Sequence, residues 1–570
     1  MPNLAVGPLL RYLSDRDATV WVETDAPCEV EVLGHRSRTF HVEGHHYAIV
    51  AIRGLEPGRR YEYDVRLDGD QVWPERPDAV HPDRPVFPPS VIAPIDARVP
   101  VRLAFGSCRV SAPHAAPYSL TRLVDRRGRG LDALTAYTRR LLADPDVRRP
   151  QALLLLGDQV YADDVPAETR DYIRKRRDTD GLPGVGVADF QEYAFLYRES
   201  WREPEVRWLL STVSSSMMFD DHEVNDDWNI SESWLAEIRA EPWWDERIVG
   251  AFMSYWIYQH LGNLSPAELD ADPLLARVRE ADDAGPILRR FAFLADRESA
   301  GARWAYRRDL GRTRLVMLDG RAARVLADGV REMVDADEWA WVEESVSGDF
   351  DHVLFGSSMP YLLAPGMHYL QAWNEAVCAG AWGSTFARIG EAIRRAIDLE
   401  HWAAFGRSFQ RFAHLLESLA SGERGAPPAS VVILSGDVHH GYLARVRFAP
   451  GTRAVSRVYQ AVCSPFRNSL DAAQRRAQRI GASRFGEVVG RALARSAGVA
   501  PPGFRWRALE PLEFDNQIGS LELDGRRATL RLERAVGADG GQPRLELVFE
   551  RLLARDDESR AESRAPTSAA

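Results

Sequence analysis

Four apolar runs, residues 101–105, 152–156, 216–219 and 431–434, each end abruptly in a turn rich in cysteine, aspartate or histidine. The turns read Phe105-Gly106-Ser107-Cys108, Leu156-Gly157-Asp158-Gln159-Val160-Tyr161-Ala162-Asp163, Phe219-Asp220-Asp221-His222-Glu223 and Leu434-Ser435-Gly436-Asp437-Val438-His439-His440. Runs this short and this apolar read as buried strands. In open α/β sheets, ligands gather at the carboxyl ends of strands, where loops distant in sequence converge on one crevice. The repeated context therefore predicts a single polynuclear metal centre built from strand ends.

Between these runs the apolar residues recur at three and four. Examples are residues 131–142, and 408–419 with Phe409, Phe412, Leu415, Leu416 and Leu419. Strands alternating with such helices predict an α/β core. Residues 1 to about 70 instead alternate in period two, as in Ala18-Thr19-Val20-Trp21-Val22-Glu23, with a turn at Glu56-Pro57-Gly58. That pattern predicts a small antiparallel β domain, and Leu55-Glu56-Pro57-Gly58 followed by Tyr61-Glu62-Tyr63-Asp64-Val65 resembles the end of a fibronectin-type or immunoglobulin-like sandwich. Eight prolines from 74 to 100 mark an extended connector. The expected division is residues 1–96 for the β domain with its proline-rich linker, 97–554 for the α/β domain and 555–570 for a disordered polar tail. Near the end, alternating residues 519–523 and 528–532 flank the turn pair Asp524-Gly525 and predict a hairpin closing a sheet edge.

A chain of 570 residues with net charge -11 is too acidic for nonspecific binding of nucleic acid or anionic membrane through a broadly basic surface. Neither partner is expected, although the total charge says nothing of a small local pocket. The chain begins without a basic segment followed by an apolar one, and has no apolar run of about 18 residues. The expectation is a cytoplasmic protein. Four scattered cysteines do not make a disulfide framework. No phosphate-cradling or dinucleotide glycine motif follows a strand, and Gly106-Ser107 does not complete a serine-hydrolase elbow.

Taken singly, each candidate has a plain structural reading. Asp158 fits a capping aspartate as well as a bridging ligand. Tyr161 fits a packed aromatic, unless a strongly Lewis-acidic ion ionises it. Cys108 fits a small buried apolar group. Asp437 and His439 lie two apart and can face one ion. Asp220 to Glu223, followed by Asn225-Asp226-Asp227-Trp228, is dense in acid even for a solvated loop. Residues 367–376 are aromatic enough to line a substrate mouth, but Leu370, Trp373 and Val377 also recur as in a core helix. Residues 178–189, with three glycines, suit a lid or a plain loop.

As an ordered set, the four turns together with Leu318-Asp319-Gly320-Arg321 resemble the PhoD-like alkaline phosphatase and phosphodiesterase family, within the calcineurin-type metallophosphoesterases. The resemblance implies a four-layer αββα core behind an amino-terminal β-sandwich. It implies a ferric ion held by Cys108, Asp158, Tyr161 and His439, with Asp158 bridging towards calcium held partly by Asp437. Asp221 and Asp227 join the expected metal ligands, and a dinuclear manganese, zinc or iron centre is the alternative. His222 corresponds to the histidine beside the scissile phosphate, and Arg321 is expected to neutralise equatorial oxygens. The implied activity is hydrolysis of phosphomonoesters or phosphodiesters by a metal-activated water. Two features depart from the family pattern: Asp226 and Asp227 stand where asparagines are common, and no export signal is apparent. The alternative from another class is a binding or scaffold protein with a structural metal centre.

Overall fold

Period-two alternation in the first 75 residues has a direct structural counterpart: successive side chains enter opposite cores. The computed structural model describes residues 1–75, 87–144, 149–298, 302–327, 329–537 and 542–555. Leu4–Leu13, Ala18–Thr24, His45–Ile52 and Phe40–Val42 form one sheet, and His35–Arg38, Glu29–Val32, Val65–Leu67 and Asp70–Trp73 form the facing one. Val20, Val22, Val30, Val50 and Val65 share the core between them. The intervening residues of the first sheet are equally buried, but on its other side. Trp21 and Tyr47 pack on Tyr258, with Trp21 and Tyr258 ring centroids 5.2 Å apart. The β domain is therefore fused to its neighbour rather than hung from it. All but the first residue of the expected tail 555–570, and much of the proline connector, residues 76–86, lie outside the described residues.

The α/β part has two large sheets. The first runs Ser215–Met217, Ala152–Leu155, Val101–Gly106, Gln517–Asp524, Arg527–Gly537, Pro543–Ala554. The second runs Tyr306–Leu310, Thr313–Leu318, His352–Ser357, Ser430–Ser435, Arg457–Val462, Tyr442–Phe448, Phe504–Ala508. In both, the strands that end in candidate ligands pair in parallel. Leu103, Phe105 and Leu154 meet Leu315, Leu354 and Val432 between the sheets. The alternate residues face outward: Leu153 and Leu155 share a core with helices Ala133–Ala143 and Pro204–Thr212, and Val353, Phe355 and Ile433 with helices Ala336–Ser345 and Gly406–Ser421. The result is the expected four-layer αββα arrangement, its strands apolar throughout because both faces are covered. The carboxyl-terminal hairpin forms as expected around Asp524-Gly525, with Asp524 opposite Arg527. It sits inside the sheet: Leu521 pairs with Leu103, and Pro543–Ala554 forms the edge.

Candidate metal centre

Parallel strands whose last residues lie side by side deliver their following turns to one place. The turns must then reverse sharply, and this shows in the backbone: Cys108, Asp158, Asp437 and His439 all have positive φ, between 51° and 65°. Non-glycine residues adopt this region sparingly, and such strain gathers at functional sites. Close approach explains two glycines. A Cβ on Gly157, at φ 101°, would lie 2.7 Å from that of Asp220, and one on Gly436 would lie 2.1 Å from Ser107 Oγ.

The structure brings eight of the nine expected site residues together. Ligand-type atoms of Cys108, Asp158 and His439 lie within 4.8 Å of one another, as do those of Asp158, Asp220 and Asp221. Asp158 belongs to both groups. Its Oδ2 accepts from Cys108 Sγ at 3.1 Å and from the Tyr161 hydroxyl at 3.2 Å, and Asn468 Nδ2 donates to that hydroxyl at 3.2 Å. Asp437 Oδ2 is 2.9 Å from His401 Nε2, and Asp437 Oδ1 faces Arg321 Nη2 at 3.9 Å. Asp227 stands further out: its backbone N–H donates to Asp221 Oδ2 at 3.1 Å, and its carboxyl senses Glu400 and Asp398. Asp226, not Asp227, completes a donor group with Asp221 and His222.

Two residues fix the carboxylates. Glu223 accepts from the backbone N–H groups of Asp158 (3.1 Å), Gln159 (2.7 Å) and Asp220 (3.0 Å), clamping two of the turns together. Gln259 holds Glu223 in turn at 3.1 Å from a turn of π-helix, Tyr255–His260, a backbone irregularity common at functional sites. Arg11 of the β domain donates to the Gln259 carbonyl at 2.7 Å, so that domain buttresses the centre through two residues. Arg321 is wholly buried, neither a surface salt bridge nor a free group. Its Nε binds Asp220 Oδ1 at 2.6 Å, Nη1 binds Glu400, and Nη2 faces Asp221 Oδ1 at 3.1 Å. Asp319 shapes the turn that presents it, accepting from the N–H groups of Arg321, Ala322 and Ala323.

Burial dominates the electrostatics. It pushes the Asp158 and Asp220 carboxyls well above the usual range, with neighbouring carboxylates adding to the shift and His222 or Arg321 opposing it. Burial likewise pushes the Cys108 thiol up and the His439 imidazole down to about 3. At His222, burial opposes the charged form, yet Asp163, Asp158 and Asp221 outweigh it and hold the pKa well above the ordinary value. Asp163 sits 2.8 Å from His222 Nδ1, and the ring lies 4.5 Å from that of Tyr161.

The donor set fits cations. Asp158 Oδ1 and Asp220 Oδ2 are buried carboxylate oxygens without a hydrogen-bond partner, a costly state that a bound ion relieves. A neutral imidazole, a thiol and a phenol beside Asp158 suit a borderline or ferric ion, and the all-oxygen group around Asp220 and Asp221 suits a harder one. Sequence reasoning missed Asp163, Asp220, Glu223, Glu400, His401 and Asn468 as members of this site. The first three lie inside the quoted motifs, where their roles depend on geometry. The last three lie on later loops, after no ligand-bearing strand. Residues 367–376 fall in helix Pro365–Cys378, with Tyr369 and Val377 buried, and Gln371 reaches toward the site, 2.8 Å from His401 Nδ1. Residues 178–189 pack as a loop whose carbonyls at Gly184 and Gly186 accept from Arg177.

Residues 133–345 match the PhoD-like phosphatase family, and residues 1–90 match a domain family of unknown function, DUF7800. A solved structure titled "Structure of PhoD" aligns with 97% of this chain and 91% of its own at 12% identity, with a TM-score of 0.57. No curated protein matches. The family match supports the PhoD-like reading of the motifs within residues 133–345, and the structural likeness shows a shared fold.

Proposed function

We propose that this protein hydrolyses phosphate esters at the centre formed by the four strand-end turns. The observation that carries the reading is Asp158, the carboxylate common to both donor groups. Cys108, Tyr161, His439 and Asp158 would hold one cation, a ferric ion by the character of the thiol and phenol. Asp158, Asp221 and Asp437, with Asp220 behind them, would hold a second, for which calcium suits an oxygen-only set. A manganese, zinc or iron pair is the alternative. When bound, such cations withdraw charge from phosphate oxygens and acidify water for in-line attack on phosphorus.

The protein's own groups do the rest. Asp163 fixes the proton on His222 Nδ1 and supports the charged ring, leaving Nε2 on the side away from Asp163. As the P–O ester bond breaks, His222 Nε2 donates a proton to the leaving oxygen, which departs as the alcohol. Arg321 acts as a positioning residue: its guanidinium is taken up by Asp220, Asp221 and Glu400, and it holds those carboxylates on the cation side. Glu223 and Gln259 keep the turns in register. This reading has no need of a covalent enzyme intermediate. Both monoesters and diesters offer the reacting phosphorus.

The test is hydrolysis of a bis-aryl phosphodiester and an aryl phosphomonoester by purified protein, before and after chelation and after reloading with iron and calcium. Loss on chelation with recovery on reloading supports the proposal. Protein that binds the metals with high occupancy yet cleaves neither ester would favour the structural-centre reading instead.

A further inference from the structure

Two helices outside the second sheet carry their large apolar side chains away from the protein. In Arg484–Ser496 the buried positions are Gly490 and Ala494, whereas Phe485 is 72% exposed and Val488 68%. The small residues are there for contact: a Cβ on Gly490 would lie 2.8 Å from the Gly366 carbonyl oxygen of helix Pro365–Cys378. Helix Ser384–Ala396, on the same central helix, repeats the inversion. Gly390 and Arg394 face inward, while Phe386 and Ile389 are each 49% exposed. The two are tied by Trp382 Nε1, which donates to the Ser496 carbonyl at 3.2 Å. Both helices thus turn large apolar groups outward, the kind of exposure that marks an interaction surface.

Charge identifies what this face suits. Residues 471–496 hold six arginines against only Asp471 and Glu487, in a chain of net charge -11. Arg491 is paired with Glu487, and Arg476, Arg484 and Arg495 are exposed. Arg484 and Arg495 lie on the outward side of their helix at the two ends of the Phe485 and Val488 face. An apolar centre rimmed by arginine on surface helices fits the interface of an anionic bilayer, where the side chains enter the headgroup boundary and the guanidinium groups meet lipid phosphates. A two-fold pairing with a second copy would instead set the same arginines against one another.

We propose that this face, centred on Phe485 and Val488 and bordered by Arg476, Arg484 and Arg495, seats the protein on anionic phospholipid bilayers. The total negative charge that argued against a membrane partner is a property of the whole chain and does not describe this local patch. Helix Ala472–Gly481 begins just after Asn468, which touches Tyr161, and helix Ser384–Ala396 runs on into Glu400 and His401. The docking face and the candidate metal centre therefore share their connecting loops.

The test is cosedimentation of the intact protein with vesicles of phosphatidylcholine alone, or mixed equally with phosphatidylglycerol. Binding to the mixed vesicles is expected, weakening about fivefold for each of Arg476→Gln, Arg484→Gln and Arg495→Gln. The double variant Phe485→Ser, Val488→Ser should abolish binding while circular dichroism and hydrolysis of a soluble ester stay unchanged, since both side chains are exposed. Protein that remains in solution with mixed vesicles overturns the proposal. So does binding that the serine variant leaves intact, or a dimer in sedimentation velocity that the variant dissolves.

Discussion

Replacing Glu223 by glutamine should move stability and function in opposite directions. Burial raises the Glu223 carboxyl from 4.5 to about 7, against the hydrogen bonds from Gln159, Gln259, Asp220 and Asp158 that favour its anion. A carboxyl bound to its proton more tightly in the folded state makes that state most stable below pH ~4.5. The advantage is lost as pH rises through the window up to about 7. At pH 8 the metal-free protein then carries a penalty of about 3 kcal/mol from the ionised group. Glutamine, the nearest neutral isostere, escapes it. Yet Oε1 accepts from Gln159 N and Gln259 Nε2, and Oε2 from Asp158 N and Asp220 N. Whichever oxygen becomes an NH2 group, two donors lose their acceptor and the clamp between the turns loosens. Supporting residues of this type change metal affinity or activity by about 10- to 100-fold. Urea denaturation in chelator should show the variant about as stable as the parent at pH 4.5, and up to about 3 kcal/mol more stable at pH 8. Metal content and kcat/KM should both fall. A variant that keeps full activity, or loses stability in parallel with activity at both pH values, refutes the clamp.

Asp158→Asn conserves volume but removes the shared ligand, and should leave a folded protein with little bound metal and hydrolysis reduced nearly to background, measured by elemental analysis and steady-state kinetics. Cys108→Ser should shift metal preference from ions favoured by thiolate toward harder ones, read from competitive reloading. Asp163→Asn removes the largest influence raising the His222 pKa, so the limb of the pH–rate profile on which the protonated ring is lost should move to lower pH. Gly157→Ala, at positive φ and with its new methyl 2.7 Å from Asp220 Cβ, should lower thermal stability by about 1–3 kcal/mol and impair metal binding.

The α/β core was legible because the buried strands are short apolar runs, and the repeated turns after them announced a common destination; its four-layer αββα arrangement was only what the family resemblance implied. Cys108, Asp158, Tyr161, Asp437 and His439 could be named because each lies in the turn after such a run and matches the family's motifs. His401 and Asn468 could not: both reach the centre across the fold, from segments whose sequence carries no strand-end signal. Arg321 was visible as part of a motif, but its complete burial among Asp220, Asp221 and Glu400 is apparent only in the fold. Helical periodicity has a blind spot of its own. The spacing of Phe485, Val488 and Val489 is the same whether that face turns inward or outward. The glycines at 486 and 490, which allow close packing on the opposite face, decide the matter only once the neighbouring helix is in place.

The central claim is that the clustered carboxylates and Cys108 hold catalytic metal. Its most direct measurement is the rate of ester hydrolysis against metal content per chain, as chelated protein is reloaded in steps. Activity should rise in proportion to bound metal, and that of Asp158→Asn should not rise at all. A rate independent of metal content, or equal in the variant, would contradict it.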